Sequence, residues 1–148
     1  MTVDELCTRH RRIAFDANVF IYLFEGSGAL ALTAASVIDA VSSGRATGIA
    51  ASVALLELIV GPVRARDEAT AERYLDAIRS IEHLHVVPAT AEIAADAGIL
   101  RGRTGLPLAD ALHVATARTA GASILVTNDR RIRPMPQLDV VQLADLVA

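Results

Sequence analysis

Four acidic side chains, Asp16, Glu57, Asp110 and Asp129, stand in otherwise apolar or turn-forming surroundings where their charge invites a chemical reading. Asp16 ends the apolar run of FDANVFIY (Phe15–Tyr22). Glu57 is the one charged residue of VALLELIV (Val53–Val60), a stretch with no polar face for it to occupy. A buried, unpaired carboxylate costs several kcal/mol, so Glu57 needs a proton or a partner, and a bound cation is a good partner. Asp110 lies near the start of a helical pattern in LPLADALHVATA (Leu106–Ala117), and Asp129 lies in the turn VTNDRR (Val126–Arg131). Each also fits an ordinary role. Asp16 suits a helix cap, Glu57 an acid reaching solvent past its neighbours, Asp110 the positive end of a helix dipole, and Asp129 a turn. Carboxylates gathered at one place repel one another unless cations intervene. An all-oxygen donor set suits hard ions such as Mg²⁺ or Mn²⁺. Two such ions about 4 Å apart activate water and stabilise the leaving oxygen in phosphodiester hydrolysis.

The elements that must position these acids alternate in type. Arg12–Asp16, Thr47–Ala51, Leu84–Val87, Ser123–Val126 and Leu138–Val141 are short runs that read as strands. Between them lie helical patterns. Val19–Phe24 suits a short helix, and Leu30, Ala34, Val37, Ile38 and Val41 share one helical face, with Gly44 as a stop. Ser52 is placed as the N-cap of a helix through Val60, ended by Gly61–Pro62. Asp67–Glu82 reads as an exposed helix, Thr90 caps one to about Arg103, Pro107 opens one to about Ala120, and a short C-terminal helix closes the chain. Strand–helix alternation predicts a parallel sheet covered by helices on both faces. In such sheets the functional crevice lies at the carboxyl ends of the strands. Asp16 and Asp129 fall on that edge.

Composition narrows the alternatives. The 148 residues suit a single domain spanning 1–148, and the 53% hydrophobic content is enough for a core. The lone Cys7 excludes an internal disulfide and fits a reducing compartment. Met1–Phe15 has no signal-peptide core and no apolar run approaches a membrane span, so a cytoplasmic, membrane-free protein is expected. Net charge is −3, but all 14 basic residues are Arg. The clusters Arg9–Arg12, Arg64–Arg66, Arg101–Arg103 and Arg130–Arg133 read as solvated surface charge that is also able to fork phosphate. The absence of Lys removes P-loop nucleotide chemistry and Schiff-base catalysis, and it argues against a response-regulator receiver. Gly26–Ala31 matches GxGxxA, but a dinucleotide site there would leave the four acids idle. His83 and His85 would be the acid/base pair of a metal-free ribonuclease, but two positions apart at the start of a strand is not a pattern that supports that reading. His113, one turn from Asp110, is assigned to the core or to a supporting position beside the site.

FDANVFIY, the isolated Glu57 after the second strand, LPLADALHVATA and LVTNDRRI (Leu125–Ile132) resemble, in order and spacing, the acidic motifs of PIN domains along almost the whole chain. The length and LPLADALHVATA resemble more narrowly the VapC toxins of bacterial toxin–antitoxin pairs. The resemblance implies a three-layer α/β fold with a five-stranded parallel sheet flanked by helices. It implies catalytic and metal-holding roles for Asp16, Glu57, Asp110 and Asp129, with Asn18 and Thr127 in support, and Mg²⁺ or Mn²⁺ as the cofactor. It also implies an RNA substrate, hydrolysis leaving 5′-phosphate and 3′-hydroxyl ends, a VapB-like antitoxin partner and a homodimer. Ala17 departs from the family pattern, where many members carry Thr or Ser, but no acid is lost. The alternatives are a housekeeping PIN nuclease of RNA processing or decay, and a non-catalytic PIN binding module.

Overall fold

The short β-branched and alanine-rich runs form five strands: β1 (Arg12–Phe15), β2 (Thr47–Ala51), β3 (Leu84–Val87), β4 (Ile124–Thr127) and β5 (Asp139–Gln142). In the computed structural model, which describes residues 1–148, they make one sheet in the order β3-β2-β1-β4-β5. Every neighbouring pair is parallel. Parallel pairing demands long crossovers, and seven helices supply or flank them: α1 (Val3–Arg9), α2 (Ala17–Glu25), α3 (Ala29–Ser42), α4 (Val53–Arg64), α5 (Glu68–Arg79), α6 (Ala91–Thr104) and α7 (Leu108–Thr119). A single 3₁₀ turn, Leu143–Asp145, follows β5.

Alternation along the strands divides the core in two. Ile13 and Phe15 of β1, with Ile124 and Val126 of β4, face a layer containing Leu6, Val19, Val37, Leu58 and Ile78 from α1 to α5. Ala14 and Leu125, one residue out of phase, face Ile93, Leu100 and Val114 from α6 and α7. The result is helices, sheet, helices. Each fully buried Leu or Ile contributes about 1.5–3 kcal/mol. Close packing shows at Gly48, where a β-carbon would come within 2.8 Å of Leu84 Cδ1 and 3.0 Å of Val41 Cγ1. Only a bare backbone lets α3 lie this near the sheet.

Two features of this topology place the site. The chain leaves β1 toward β2 on one side, whereas β4 and β5 lie on the other, so the strand order reverses between β1 and β4. That point is where open parallel sheets form a crevice. Between α6 and α7, Gly105 adopts the left-handed conformation (φ 73°) and its N–H bonds to the Arg101 carbonyl. The sharp reversal brings the first turn of α7 to the same edge.

Local differences from the sequence reading have physical causes. Helix α1 was not foreseen, although Thr2 and Glu5 form a reciprocal capping box at its start. Gly61–Pro62 does not end α4, which runs on to Arg64 with Pro62 buried inside it. Pro62 forfeits the bond its N–H would have given to the Leu58 carbonyl, and its buried ring packs instead. Ser52 occupies the cap position but its hydroxyl makes no cap bond; it accepts from Ala89 N (3.1 Å), tying α4 to the end of β3. Strands β4 and β5 begin one residue later than expected, and the closing helix is only the 3₁₀ turn. No single helix is long and apolar enough to cross a membrane.

Candidate metal centre

Asp16 sits directly after β1, at the N-cap of α2, yet its side chain makes no capping bond. Its backbone N–H continues the ladder to Val126 O at 3.0 Å, which pins the residue beside the end of β4. The carboxylate is 4% exposed and turned toward β4. There Oδ2 accepts from the Thr127 hydroxyl (2.7 Å) and from Asn18 Nδ2 (3.1 Å). Thr127 is fully buried and its Oγ1 also accepts from the Asp129 N–H at 3.0 Å. Asn18 Oδ1 in turn accepts from the Asn128 N–H at 3.2 Å. One hydroxyl and one amide thus lock the post-β1 and post-β4 segments together, fix one Asp16 oxygen and leave Oδ1 pointing inward.

Oδ1 faces His113 Nε2 at 3.3 Å, and the same nitrogen lies 2.6 Å from Glu57 Oε1. Glu57 comes from α4 in one helical layer and His113 from α7 in the other; they meet beyond the carboxyl edge of the sheet. Ligand atoms of Asp16, Glu57 and His113 all lie within 4.8 Å of one another, the spacing of a set able to hold one metal ion. Burial alone would depress the His113 imidazole, but the hydrogen bond to Glu57 and the charges of Asp16, Glu57 and Asp110 outweigh it and raise its pKa above the ordinary value. His113 Nδ1 is buried and has no hydrogen-bond partner.

Asp110 and His113 are three residues apart on α7 and therefore share a face. Asp110 is buried, and its Oδ2 finds no hydrogen-bond partner. Burial, and then the charges of Asp16 and Asp129, push its carboxyl above the usual carboxylate value against the pull of Arg131 and His113. Asp129 differs. The Arg131 guanidinium grips its carboxylate through two nitrogens, Nε to Oδ1 at 3.0 Å and Nη2 to Oδ2 at 2.6 Å, and holds its pKa below the ordinary value.

All four acids foreseen from sequence therefore converge on one edge, with Asn18 and Thr127 bonded to the first of them. The donor chemistry fits a divalent cation. Carboxylates predominate, one buried carboxylate oxygen is unpartnered, and the repulsion that raises Asp110 is what a cation relieves. One reading changes. Glu57 is neither fully buried nor unpaired: its side chain is 31% exposed and pairs with His113. Helix α4 lacks a polar face because Leu56, Val60 and Val63, at 61%, 40% and 45%, leave an apolar stripe exposed. His113 takes the supporting position beside the site that the sequence allowed: it is buried and sits between Asp16 and Glu57. Its signal was the i, i+3 spacing from Asp110. His83 and His85 lie exposed at the amino end of β3, the wrong edge for this site. Gly28 follows a helix rather than a strand, which excludes a dinucleotide fingerprint there.

Solved structures with this fold include VapBC2 from Rickettsia felis bound to a promoter DNA fragment. It is 19% identical with a TM-score of 0.71, over 88% of this chain and 98% of that one. A toxin–antitoxin complex from Klebsiella pneumoniae is 23% identical with a TM-score of 0.63, over 85% and 94%. VapC20 of Mycobacterium tuberculosis, described as a toxin that cleaves the sarcin–ricin loop, is 20% identical with a TM-score of 0.61, over 76% and 86%. At these identities the likeness shows the fold. No curated protein matches the chain by sequence. The PIN domain family model matches residues 13–138, from β1 to the start of β5 and across all four acids, and the chain belongs to the PIN domain family.

Proposed function

We propose that this PIN domain is a divalent-cation-dependent endoribonuclease and the toxin member of a VapBC-type toxin–antitoxin pair. The observation that carries the nuclease reading is the convergence of Asp16, Glu57, Asp110 and His113 at the β1/β4 switch point, with a buried Asp110 oxygen unpartnered. Asp16, Glu57, Asp110 and Asp129 are the residues assigned to hold Mg²⁺ or Mn²⁺, and Asn18 and Thr127 orient Asp16. When bound, the cation supplies the positive charge that makes water a nucleophile near neutral pH and takes up charge developing on the phosphate. The chain's own work is positional. Thr127 and Asn18 hold one Asp16 oxygen so that the other faces the centre. His113 holds Glu57 at the same point from the opposite layer.

The toxin reading draws on the similar structures, which include VapBC and other toxin–antitoxin complexes and a sarcin–ricin loop-cleaving toxin. The exposed Leu56, Val60 and Val63 stripe beside Glu57 supports a protein partner, because apolar residues grouped at helical spacing on a surface mark interaction sites. The deciding experiment is cleavage of defined RNAs by the purified protein, with and without Mg²⁺ or Mn²⁺, with end-group analysis. Metal-dependent cuts inside the RNA are expected. Tight RNA binding without cleavage under any metal would make the chain a binding module instead.

A further inference from the structure

Arg131 is the one arginine whose ion pairs reach the acid cluster. It belongs to a surface run, Arg130–Arg131–Arg133, in which Arg130 pairs with Asp145 at 3.9 Å. Arg131 turns inward. Nη2 lies 2.6 Å from Asp129 Oδ2 and 3.6 Å from Asp110 Oδ2, so one guanidinium nitrogen stands between two site carboxylates. The contact with Asp129 is strong, since both carboxylate oxygens are engaged and the Arg131 backbone N–H adds a third partner at 2.9 Å. The contact with Asp110 is not a hydrogen bond, and Asp110 Oδ2 remains unpartnered although buried. The positive charge therefore lies where the Asp110–Asp129 half of the centre needs one, yet it satisfies only one of the two acids.

The side chain is also within reach of an incoming group. It is 66% exposed, so an arriving phosphate can compete with Asp129 for the guanidinium. Its planar fork matches a phosphate's oxygens as well as it matches a carboxylate's. We propose that Arg131 is a displaceable internal counter-cation. Without nucleic acid it occupies the Asp110–Asp129 half of the centre and opposes a divalent ion there. When a phosphodiester arrives, the guanidinium transfers to a phosphate oxygen, which releases Asp129 and withdraws the competing charge from beside Asp110. Substrate entry and completion of the metal centre are thereby coupled. This rests on the nuclease reading above, and it gives Arg131 a direct contact with the substrate phosphate.

The test counts Mn²⁺ bound to the purified full chain, using the electron paramagnetic resonance signal of free Mn²⁺ during titration. The proteins are wild type, Arg131→Met and Arg131→Lys, each with and without a phosphorothioate RNA oligonucleotide whose own Mn²⁺ binding is subtracted. Wild type alone should bind one ion tightly, and Arg131→Met should bind a second at least about tenfold tighter than wild type does. Arg131→Lys should restore the wild-type count, because the competing charge returns. Adding the oligonucleotide should bring wild type to the Arg131→Met count. Equal counts and affinities for wild type and Arg131→Met, or no response of wild type to the oligonucleotide, would overturn the coupling and leave the nuclease reading intact. Failure of every protein to bind Mn²⁺ would overturn both.

Discussion

The Nε2 atom of His113 lies 2.6 Å from Oε1 of Glu57, although one residue belongs to α7 above the sheet and the other to α4 below it. The contact closes the gap between the helical layers beyond the carboxyl ends of the strands. It also supplies a cation-like partner among acids, which bears on how the protein behaves without metal.

In the metal-free protein the folded state favours protonated His113, because its neighbouring acids more than offset burial and raise its pKa. That contribution to stability is complete below the ordinary histidine value of 6.5 and is lost as pH rises through the higher folded value. Asp110 has the same sign: its raised pKa gives stability present below the ordinary 3.8 and lost as pH rises through the folded value. Asp129 runs the other way, its stability being lost only in acid, as pH falls through its lowered value. Melting temperature measured in EDTA should therefore fall as pH is raised above 6.5, and His113→Gln should flatten the profile in that window. A flat wild-type profile would show that the His113–Glu57 contact carries no charge. Added Mn²⁺ should reverse the wild-type loss, since the cation supplies among the acids the positive charge that His113 gives up as it deprotonates.

Asp16→Asn and Asp110→Asn should each lower RNA cleavage at least about a hundredfold, since loss of a metal ligand removes several kcal/mol of charge stabilisation. Neither should unfold the protein. In the metal-free state Asp110→Asn should be as stable as wild type or more so, because it removes one charge from a repulsive group containing Asp16 and Asp129. Thermal melts alongside cleavage rates check both halves. Wild-type activity in the two variants would remove these residues from the site.

Much of this arrangement was readable beforehand because strand ends and switch points obey simple rules. Asp16 and Asp129 follow short apolar runs, and a parallel sheet must present such residues at its carboxyl edge. Glu57 was found by its isolation, but for an incomplete reason. Its helix offers no polar face to read, yet Leu56, Val60 and Val63 are exposed. A single sequence cannot separate an apolar face that meets the core from one that meets solvent or a partner. His113 shows the opposite problem. Within LHVATA it resembles a core residue, and only the crossing of α7 over the sheet edge brings it to Glu57. Arg131 was hidden in a charged run, and no local pattern says which of three arginines turns inward.

Metal dependence is checked by chelation and by product chemistry together. Saturating EDTA should stop cleavage and Mn²⁺ should restore it. The products should carry 5′-phosphate and 3′-hydroxyl ends, because water rather than the RNA's own 2′-hydroxyl is the nucleophile. A 2′,3′-cyclic phosphate would contradict this route. It would redirect attention to histidine acid–base chemistry, for which His83 and His85 are exposed but remote from the acids.

An unrestrained ribonuclease harms the cell that makes it, and the surface around this site is suited to restraint by another protein. The centre concentrates carboxylates, and Arg131 shows that a guanidinium can sit among them. An Arg or Lys offered by an antitoxin segment would compete for the same acids with the same electrostatics. Beside Glu57, the Leu56, Val60 and Val63 stripe offers that segment an apolar track. Expression of the wild-type chain alone should therefore slow bacterial growth, and co-expression of a small antitoxin encoded beside it should relieve the effect. Asp129→Asn should be harmless, because it removes an acid assigned to the metal while leaving the outer surface of α4 untouched. Growth curves of the three strains, with soluble yield measured in parallel, decide the matter. If well-expressed wild-type protein is as harmless as Asp129→Asn and has no such neighbour, the chain is a housekeeping nuclease of RNA processing, and the stripe on α4 serves some other contact.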